Sequence, residues 1–131
     1  MKKIIAVDFD GTLVDHRYPD IGEEAPEAIQ VCQELNAAGV YLILSTMRSG
    51  EELQQAVAWC KANNIKLWDA NKNPEQSSWT SSPKVYAQRY IGDDALGCPL
   101  IRIHNFHRPC ADWRALRLLL IEEGFLTKPK Q

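Results

Sequence analysis

The stretch "KKIIAVDFDGTLVDHR", residues 2–17, joins a continuous apolar run to two aspartates and a sharp turn. Residues 3–8 are rich in β-branched side chains, which is typical of a strand that is covered on both faces. Asp8 and Asp10 follow with one residue between them, and a Gly-Thr pair then turns the chain. The stretch therefore predicts a buried strand that presents two carboxylates at its carboxyl end.

The composition is that of an ordinary globular protein. The chain has 131 residues, of which 45% are hydrophobic and 24% charged, which suits one core and is too short for two ordinary domains. The net charge of −2 argues against binding to nucleic acid or an anionic membrane, because such binders carry clustered positive charge. The four cysteines suit reduced thiols, and no apolar run is long enough to span a membrane. We therefore expect a single cytoplasmic domain over residues 1–131.

Strand and helix patterns alternate along the rest of the chain. After the first strand, apolar runs predict strands over residues 40–46, 65–70, 89–94 and 98–103. Apolar periodicity and terminal signals predict helices over residues 26–39, 49–64 and 112–124. This alternation predicts an α/β, Rossmann-like fold with three layers, in which a parallel sheet of about five strands has helices on both faces. The polar, turn-rich segment 71–83 is long enough to indicate a functional or mobile loop.

Acidic and hydroxyl side chains lie at the carboxyl ends of several predicted strands. Open parallel sheets bind ligands outside these ends, at the point where the strand order reverses. If the first strand lies between the second and the fourth, five side chains converge on one crevice: Asp8, Asp10, Thr46, Asp93 and Asp94. Four carboxylates in one place repel one another and imply a cation, and a set of hard oxygen ligands favours Mg²⁺.

The same residues suit phosphoryl transfer. Asp8, at the end of its strand, is placed to act as a nucleophile that forms an aspartyl-phosphate. Asp10, further round the turn, can protonate the leaving group as general acid and then activate water as general base. Thr46 offers a hydroxyl, and Lys84 offers a point charge, to the phosphoryl oxygens. The backbone amides that follow Asp8 and Thr46, the second being that of Met47, can bind the same oxygens as an oxyanion hole does.

The motif "DFDGTL" (residues 8–13) resembles the first motif of the haloacid dehalogenase-like hydrolases, which include phosphatases with an aspartate nucleophile. A threonine that ends a hydrophobic strand, a lysine and the acidic pair of "YIGDD" (residues 90–94) follow in that family's order. The resemblance covers residues 4–103 and implies one role for each matching residue: nucleophile Asp8, acid/base Asp10, phosphate binders Thr46 and Lys84, and Mg²⁺ ligands Asp8, Asp93, Asp94 and the backbone carbonyl of Asp10. The dehalogenase branch lacks the second aspartate, so Asp10 favours phosphoryl transfer.

The connections between the motifs are short for a family whose members commonly carry a cap domain. The segments from Asp10 to Thr46 and from there to Lys84 have room for loops, helices and a short strand. The chain therefore resembles the small capless members with a "T-x-R" turn, here Thr46-Met47-Arg48. This resemblance implies an open site for a small phosphorylated substrate, which a loop or the second subunit of a homo-oligomer can cover.

Two cationic residues have alternative roles. Eight residues separate Lys84 from the acidic pair, which is little room for the helix usual in the family, so Lys72 is the alternative phosphate-site lysine. Arg48 has a planar fork that suits a phosphate or carboxylate of the substrate. Its alternative is a salt bridge to Glu51 or Glu52.

Other functions are compatible with parts of the sequence. A signalling receiver domain is a small parallel α/β unit too, but its phosphorylated aspartate follows the third strand, whereas here the acids follow the first and fourth. A non-catalytic or phosphotransferase member of the family has the same motifs. A zinc site would use Cys98, His104, His107 and Cys110, but their spacing differs from known structural zinc patterns. We therefore expect an enzyme that hydrolyses phosphomonoesters with Mg²⁺.

Overall fold

A parallel β-sheet and three α-helices organise the computed structural model, which describes residues 1–129. The elements are, in order, β1 (Ile4–Val7), α1 (Ala28–Ala37), β2 (Tyr41–Leu44), α2 (Gly50–Ala62), β3 (Asp69–Ala70), a 3-10 helix (Gln76–Ser78), β4 (Arg89–Ile91), β5 (Leu100–Ile101), β6 (Cys110–Ala111) and α3 (Trp113–Glu122). The first four strands form a parallel sheet in the order β3-β2-β1-β4, and β5 and β6 form a separate antiparallel pair. The predicted Rossmann-like α/β fold is confirmed.

β1 lies in the interior of the sheet, between β2 and β4, as the predicted crevice requires. All four of its residues are buried, and Val7 at its end aligns with Leu44 of β2 and Ile91 of β4. The three strands therefore end at the same edge of the sheet, and the residues that follow them meet there.

The three helices pack on one face of the sheet. Ile5 and Val7 share a core with buried residues of all three helices, among them Val31, Cys60 and Leu116. The crossovers through α1 and α2 run in the same direction across the sheet, and right-handed crossovers of this kind place their helices on the same face.

The opposite face is covered by the connection from β3 to β4, which differs in detail from the expected helices on both faces. The small core on this face consists of Ile4, Ala6, Ile43, Trp68, Val85 and Ala87. The connecting segment, residues 71–88, is rich in turn residues and forms only the 3-10 helix. Within this segment, the Gln76 side chain donates to the carbonyls of Ser82 and Lys84.

The sheet has four strands because the predicted strand 98–103 does not join it. Its middle residues form β5, which pairs with β6, a strand that the sequence reasoning missed. A parallel strand needs a crossover of a dozen or more residues, and the connection from β4 to β5, residues 92–99, is shorter. β5 and β6 instead form a hairpin with the loop 102–109. This hairpin is attached to the turn after β1, since the N–H of Ala111 donates to the carbonyl of Gly11 at 3.0 Å.

The connections that could carry a cap are short in the described part of the chain. Within residues 1–129, the segments after β1 and β3 contain turns, isolated bridges and the 3-10 helix, and no further domain. The capless architecture and the single domain over residues 1–131 stay predictions. Among the helices of residues 1–129, none combines the length and the apolar character needed to cross a membrane.

Candidate active site

Asp8 follows β1 directly, and its carboxylate lies close to those of two aspartates that follow β4. Carboxylate oxygens of Asp8, Asp93 and Asp94 all lie within 4.8 Å of one another. The pKa of Asp8 is raised to about 7, mainly because its carboxylate is buried and further because Asp93 and Asp94 lie beside it. The N–H of Phe9, which donates to Asp8 Oδ1 at 2.8 Å, opposes this shift. The ionisation of Asp8 in this acidic cluster is therefore unfavourable unless positive charge is supplied.

The donor set of this cluster fits Mg²⁺, which prefers hard carboxylate oxygens. Within residues 1–129, no other group of three or more acidic, histidine or cysteine side chains lies close enough together to hold an ion. The four residues of the zinc alternative, in the segment 98–110, therefore form no such group. The Asp10 side chain lies outside the cluster, so its predicted part in metal binding is confined to its backbone carbonyl.

Two residues of the turn after Asp10 allow Asp93 to join the cluster. Thr12 is fully buried, and its hydroxyl accepts from the N–H of Asp93 at 3.0 Å and donates to Asp93 Oδ1 at 3.3 Å. Gly11 has a φ of +84°, and a Cβ at this position would overlap the Asp93 carboxylate. The Gly-Thr pair, which the sequence marks only as a turn, thus supports the position of Asp93 in the acidic cluster.

Asp10 is held by Arg48, whose guanidinium has every N–H engaged within the protein. Arg48 Nε donates to Asp10 Oδ2 and Nη2 to Oδ1, both at 2.8 Å. Its three other N–H groups donate to the carbonyls of Pro19, Asp20 and Glu52. The alternative of a salt bridge to a glutamate of α2 is therefore wrong, since α2 contributes only a backbone carbonyl. A guanidinium has five N–H donors, and their full use favours a positioning role for Arg48 over its predicted contact with phosphate.

Thr46 lies two residues after the end of β2 and lines the crevice beside Asp8. Its hydroxyl accepts from the N–H of Arg48 at 3.1 Å, and its own N–H donates to Asn71 Oδ1 at 2.9 Å. Asn71 follows β3 with a φ of 53°, a left-handed conformation that asparagine tolerates well. The sequence reasoning missed Asn71, although an asparagine directly after a strand was the available signal. Met47 lines the crevice with its side chain almost fully exposed.

Neither candidate lysine lines the acidic crevice. Lys84 Nζ lies 5.4 Å from the centre of the Tyr90 ring, and Tyr90 lines the part of the crevice that contains Asp8. Lys72 lies in a separate surface groove formed by residues of the segment 71–85. The structure therefore places Lys84 against a wall of the crevice and Lys72 against the loop.

The acidic cluster opens into a pocket of about 420 Å³. The lining residues are Asp8, Asp10, His16, Tyr18, Thr46, Met47, Arg48, Asp93, Asp94 and Arg108. Sequence reasoning identified all of them except His16, Tyr18 and Arg108. His16 and Tyr18 closely follow the first motif, which was a usable signal. Arg108 lies in the segment 98–110, in which the cysteines and histidines are the residues that suggest a site.

Comparison with known proteins agrees with this arrangement. Residues 5–67, which include Asp8, Asp10 and Thr46, match the model of a haloacid dehalogenase-like hydrolase family. The chain belongs to the haloacid dehalogenase-like hydrolases. It is also similar to a solved structure described as a conserved protein from Bacteroides thetaiotaomicron, with 36% sequence identity over 94% of this chain and 93% of that one and a TM-score of 0.77. A search among curated proteins found no significant match.

Proposed function

We propose that this hydrolase is a Mg²⁺-dependent phosphatase that cleaves small phosphomonoesters through a phosphorylated Asp8. The observation that carries the proposal is the contrast between two aspartates two positions apart. Asp8 shares the acidic cluster with Asp93 and Asp94, whereas both oxygens of Asp10 are held by Arg48. A nucleophile and a general acid need such different surroundings, and a second aspartate favours phosphoryl transfer over dehalogenation.

In the first step, a carboxylate oxygen of Asp8 attacks phosphorus, and the bond from phosphorus to the ester oxygen breaks. Protonated Asp10 gives its proton to that oxygen, so the alcohol leaves as a neutral molecule. A proton on one oxygen of Asp10 replaces one of the two Arg48 hydrogen bonds, and the other bond keeps the carboxyl group oriented.

In the second step, ionised Asp10 takes a proton from a water molecule whose oxygen attacks the phosphorus. The bond from phosphorus to Asp8 breaks, inorganic phosphate leaves, and both carboxyl groups return to their starting state. Both steps place the water or alcohol oxygen next to Asp10, which is why the orientation given by Arg48 matters.

The remaining site residues bind charge. Asp8, Asp93 and Asp94 would hold Mg²⁺, which supplies positive charge to the phosphoryl oxygens and favours the ionised nucleophile. The hydroxyl of Thr46, the amide of Met47 and the ammonium of Lys84 are the proposed binders of the phosphoryl oxygens. A cytoplasmic location and a homo-oligomer whose second subunit covers the open pocket belong to the same proposal.

Turnover of p-nitrophenyl phosphate tests this proposal. We expect release of p-nitrophenol with Mg²⁺, its loss in EDTA, and its loss in Asp8→Asn. Asp69→Asn is the matched control, because Asp69 lies in β3 and outside the pocket lining. Equal rates for the wild type and Asp8→Asn would overturn the nucleophile assignment.

Beryllofluoride, which mimics a phosphoryl group on a carboxylate, tests the same assignment structurally. In crystals grown with Mg²⁺ and beryllofluoride, we expect its density on Asp8. Density on Asp93 instead would show that the roles within the cluster are reversed.

A further inference from the structure

One cation of the pocket is unused by the protein itself. His16, Arg48 and Arg108 line the pocket, and Arg48 spends all its donors on Asp10 and on backbone carbonyls. Arg108 is exposed and, within residues 1–129, forms no salt bridge. Its guanidinium carries a permanent charge with five donors, so a positive group faces the space that a substrate enters.

The loop that carries Arg108 is held in place by a buried carboxylate. Asp15 is 1% exposed, and its two oxygens accept from the N–H of His107 at 3.0 and 3.1 Å. Asp15 Oδ1 also accepts from the N–H of His16 at 2.8 Å. A buried charge is costly unless it is fully hydrogen-bonded. Asp15 therefore holds the backbone of His16, which lines the pocket, and that of His107, the residue next to Arg108.

Arg17 binds both Asp15 and the loop that carries Arg108, from the side that faces solvent. Arg17 Nε donates to Asp15 Oδ2 at 3.0 Å, and its Nη2 donates to the carbonyl of Asn105 at 3.1 Å. Burial alone would raise the pKa of Asp15, but its hydrogen bonds from His107, Arg17 and His16 lower it below the ordinary value. Hydrogen bonds to Asp15 and from Arg17 thus hold the loop 102–109 in place, although it lies on the surface.

We propose that Arg108, together with His16, binds a second negative charge on the leaving group of the substrate, and that Asp15 is the positioning residue for this subsite. The expected substrates are phosphomonoesters that also carry a carboxylate or a second phosphate. The pocket is lined by four carboxylates, and a cation held on its wall favours the binding of a leaving group that carries negative charge. The planar guanidinium fork suits both kinds of anion. The inference rests on the proposed phosphatase function.

Two aryl phosphates of nearly equal shape test the subsite. Carboxyphenyl phosphate carries the second negative charge, and carbamoylphenyl phosphate lacks it. The meta and para isomers of each place this substituent at two different distances from the phosphate. We expect a lower KM for the carboxylate in the wild type. Arg108→Ala should raise that KM about fivefold and leave kcat and the KM of the amide unchanged. Arg108→Lys should restore part of the preference. Arg102→Ala, in the same loop and outside the pocket lining, is the matched control.

Variants of Arg17 and Asp15 test the positioning role of Asp15. Arg17→Ala removes the hydrogen bonds from Arg17 to Asp15 and to the Asn105 carbonyl. Asp15→Asn keeps a hydrogen-bond acceptor but loses the negative charge. We expect both to raise KM for the carboxylate probe only, with kcat for the amide probe unchanged, a split that general misfolding does not produce. An unchanged KM in folded Asp15→Asn would overturn the positioning role.

The outcomes separate the two proposals. If the wild type turns over both probes with equal KM, or if Arg108→Ala affects both equally, the subsite is wrong and the phosphatase stands. If the folded wild type turns over neither probe nor p-nitrophenyl phosphate, the phosphatase is wrong, and the subsite falls with it.

Discussion

Arg48 and Asp10 form a bidentate ion pair with both N–O distances at 2.8 Å, across 38 positions of sequence. Arg48 is 2% exposed, and its guanidinium carbon lies 5.1 Å from the centre of the Phe9 ring and 5.2 Å from that of Tyr18. The pair joins the turn after β1 to the turn after β2, so a residue next to the proposed phosphate binders Thr46 and Met47 also sets the orientation of the proposed general acid.

Removing Arg48 should cost both stability and catalysis. Arg48→Ala leaves the Asp10 carboxylate, whose side chain is 12% exposed, without its charge partner, and breaking such a buried pair costs about 3–5 kcal/mol. Urea unfolding measures this loss. The matched control is Arg89→Ala, which breaks the exposed pair with Glu123 and should cost less than about 1 kcal/mol.

Arg48→Lys distinguishes positioning from substrate binding. Lysine keeps the charge but cannot form the two parallel hydrogen bonds, so kcat should fall roughly tenfold or more while KM changes little. Steady-state kinetics with p-nitrophenyl phosphate provide the measurement. A raised KM with unchanged kcat would instead support the predicted contact of Arg48 with phosphate.

Gly11→Ala should weaken the proposed Mg²⁺ site, because the added methyl group meets the Asp93 carboxylate. Gly39→Ala is a closely matched control: both glycines have a φ of +84°, and a Cβ at Gly39 meets nothing within 4 Å. Each change should cost about 1–2 kcal/mol of backbone strain. Only Gly11→Ala should also lower the Mg²⁺ affinity, by roughly tenfold or more, as measured by titration calorimetry. Equal Mg²⁺ affinities would show that Asp93 can move without loss.

The parts of the site that follow from local pattern were predictable, and those that depend on distant packing were not. The continuous apolar run of β1 and the two aspartates after it fixed the nucleophile and acid candidates. For Arg48, the nearest acids along the chain are those of α2, and only the folded sheet brings Asp10 within reach. Arg108 reaches the pocket from the loop between β5 and β6. These strands have only two residues each, which is too short to show a hydrophobic periodicity in the sequence.

The sheet itself shows the same distinction. β3 spans only Asp69–Ala70 of the predicted 65–70: the apolar residues Ile65, Leu67 and Trp68 before it pack into the two cores, and the N–H of Trp68 donates to the carbonyl of Leu42 in β2 at 2.7 Å. The predicted fifth strand pairs elsewhere because its connection is too short for a crossover. Strand pairing depends on the lengths of connections and on neighbouring elements, which the composition of a single segment does not encode.

Lys84 should be the phosphate-site lysine, and Lys72 should not. Lys84 Nζ lies 5.4 Å from the centre of the Tyr90 ring, and Tyr90 lines the part of the crevice that contains Asp8, whereas Lys72 lines a separate groove. We expect Lys84→Ala to lower kcat/KM roughly 100-fold, as loss of a donor to a developing charge does, and Lys84→Arg to restore part of the activity. Lys72→Ala is the control. If Lys72→Ala causes the larger loss, the assignment of the two lysines must be exchanged.

The titration of Asp8 should make the metal-free protein less stable as the pH rises. The pKa of Asp8 is about 7 in the folded protein and has an ordinary value of 3.8. Between these values the folded protein binds a proton that the unfolded chain has lost, so the free energy of unfolding decreases with pH. The stabilisation that protonated Asp8 contributes is complete below about pH 4 and is lost as the pH passes about 7. Urea unfolding in EDTA, from about pH 5 to about pH 8, measures this slope.

Asp8→Asn and Mg²⁺ provide the controls for that slope. Asp8→Asn removes the titrating group, so its free energy of unfolding should depend less on pH than that of the wild type. Mg²⁺ should stabilise the wild type more at about pH 8 than at about pH 5, because at the lower pH the ion must displace a proton from Asp8. An identical pH dependence in the wild type and Asp8→Asn would mean that Asp8 ionises normally beside Asp93 and Asp94. The acidic cluster would then not require a cation to hold its nucleophile in the ionised form.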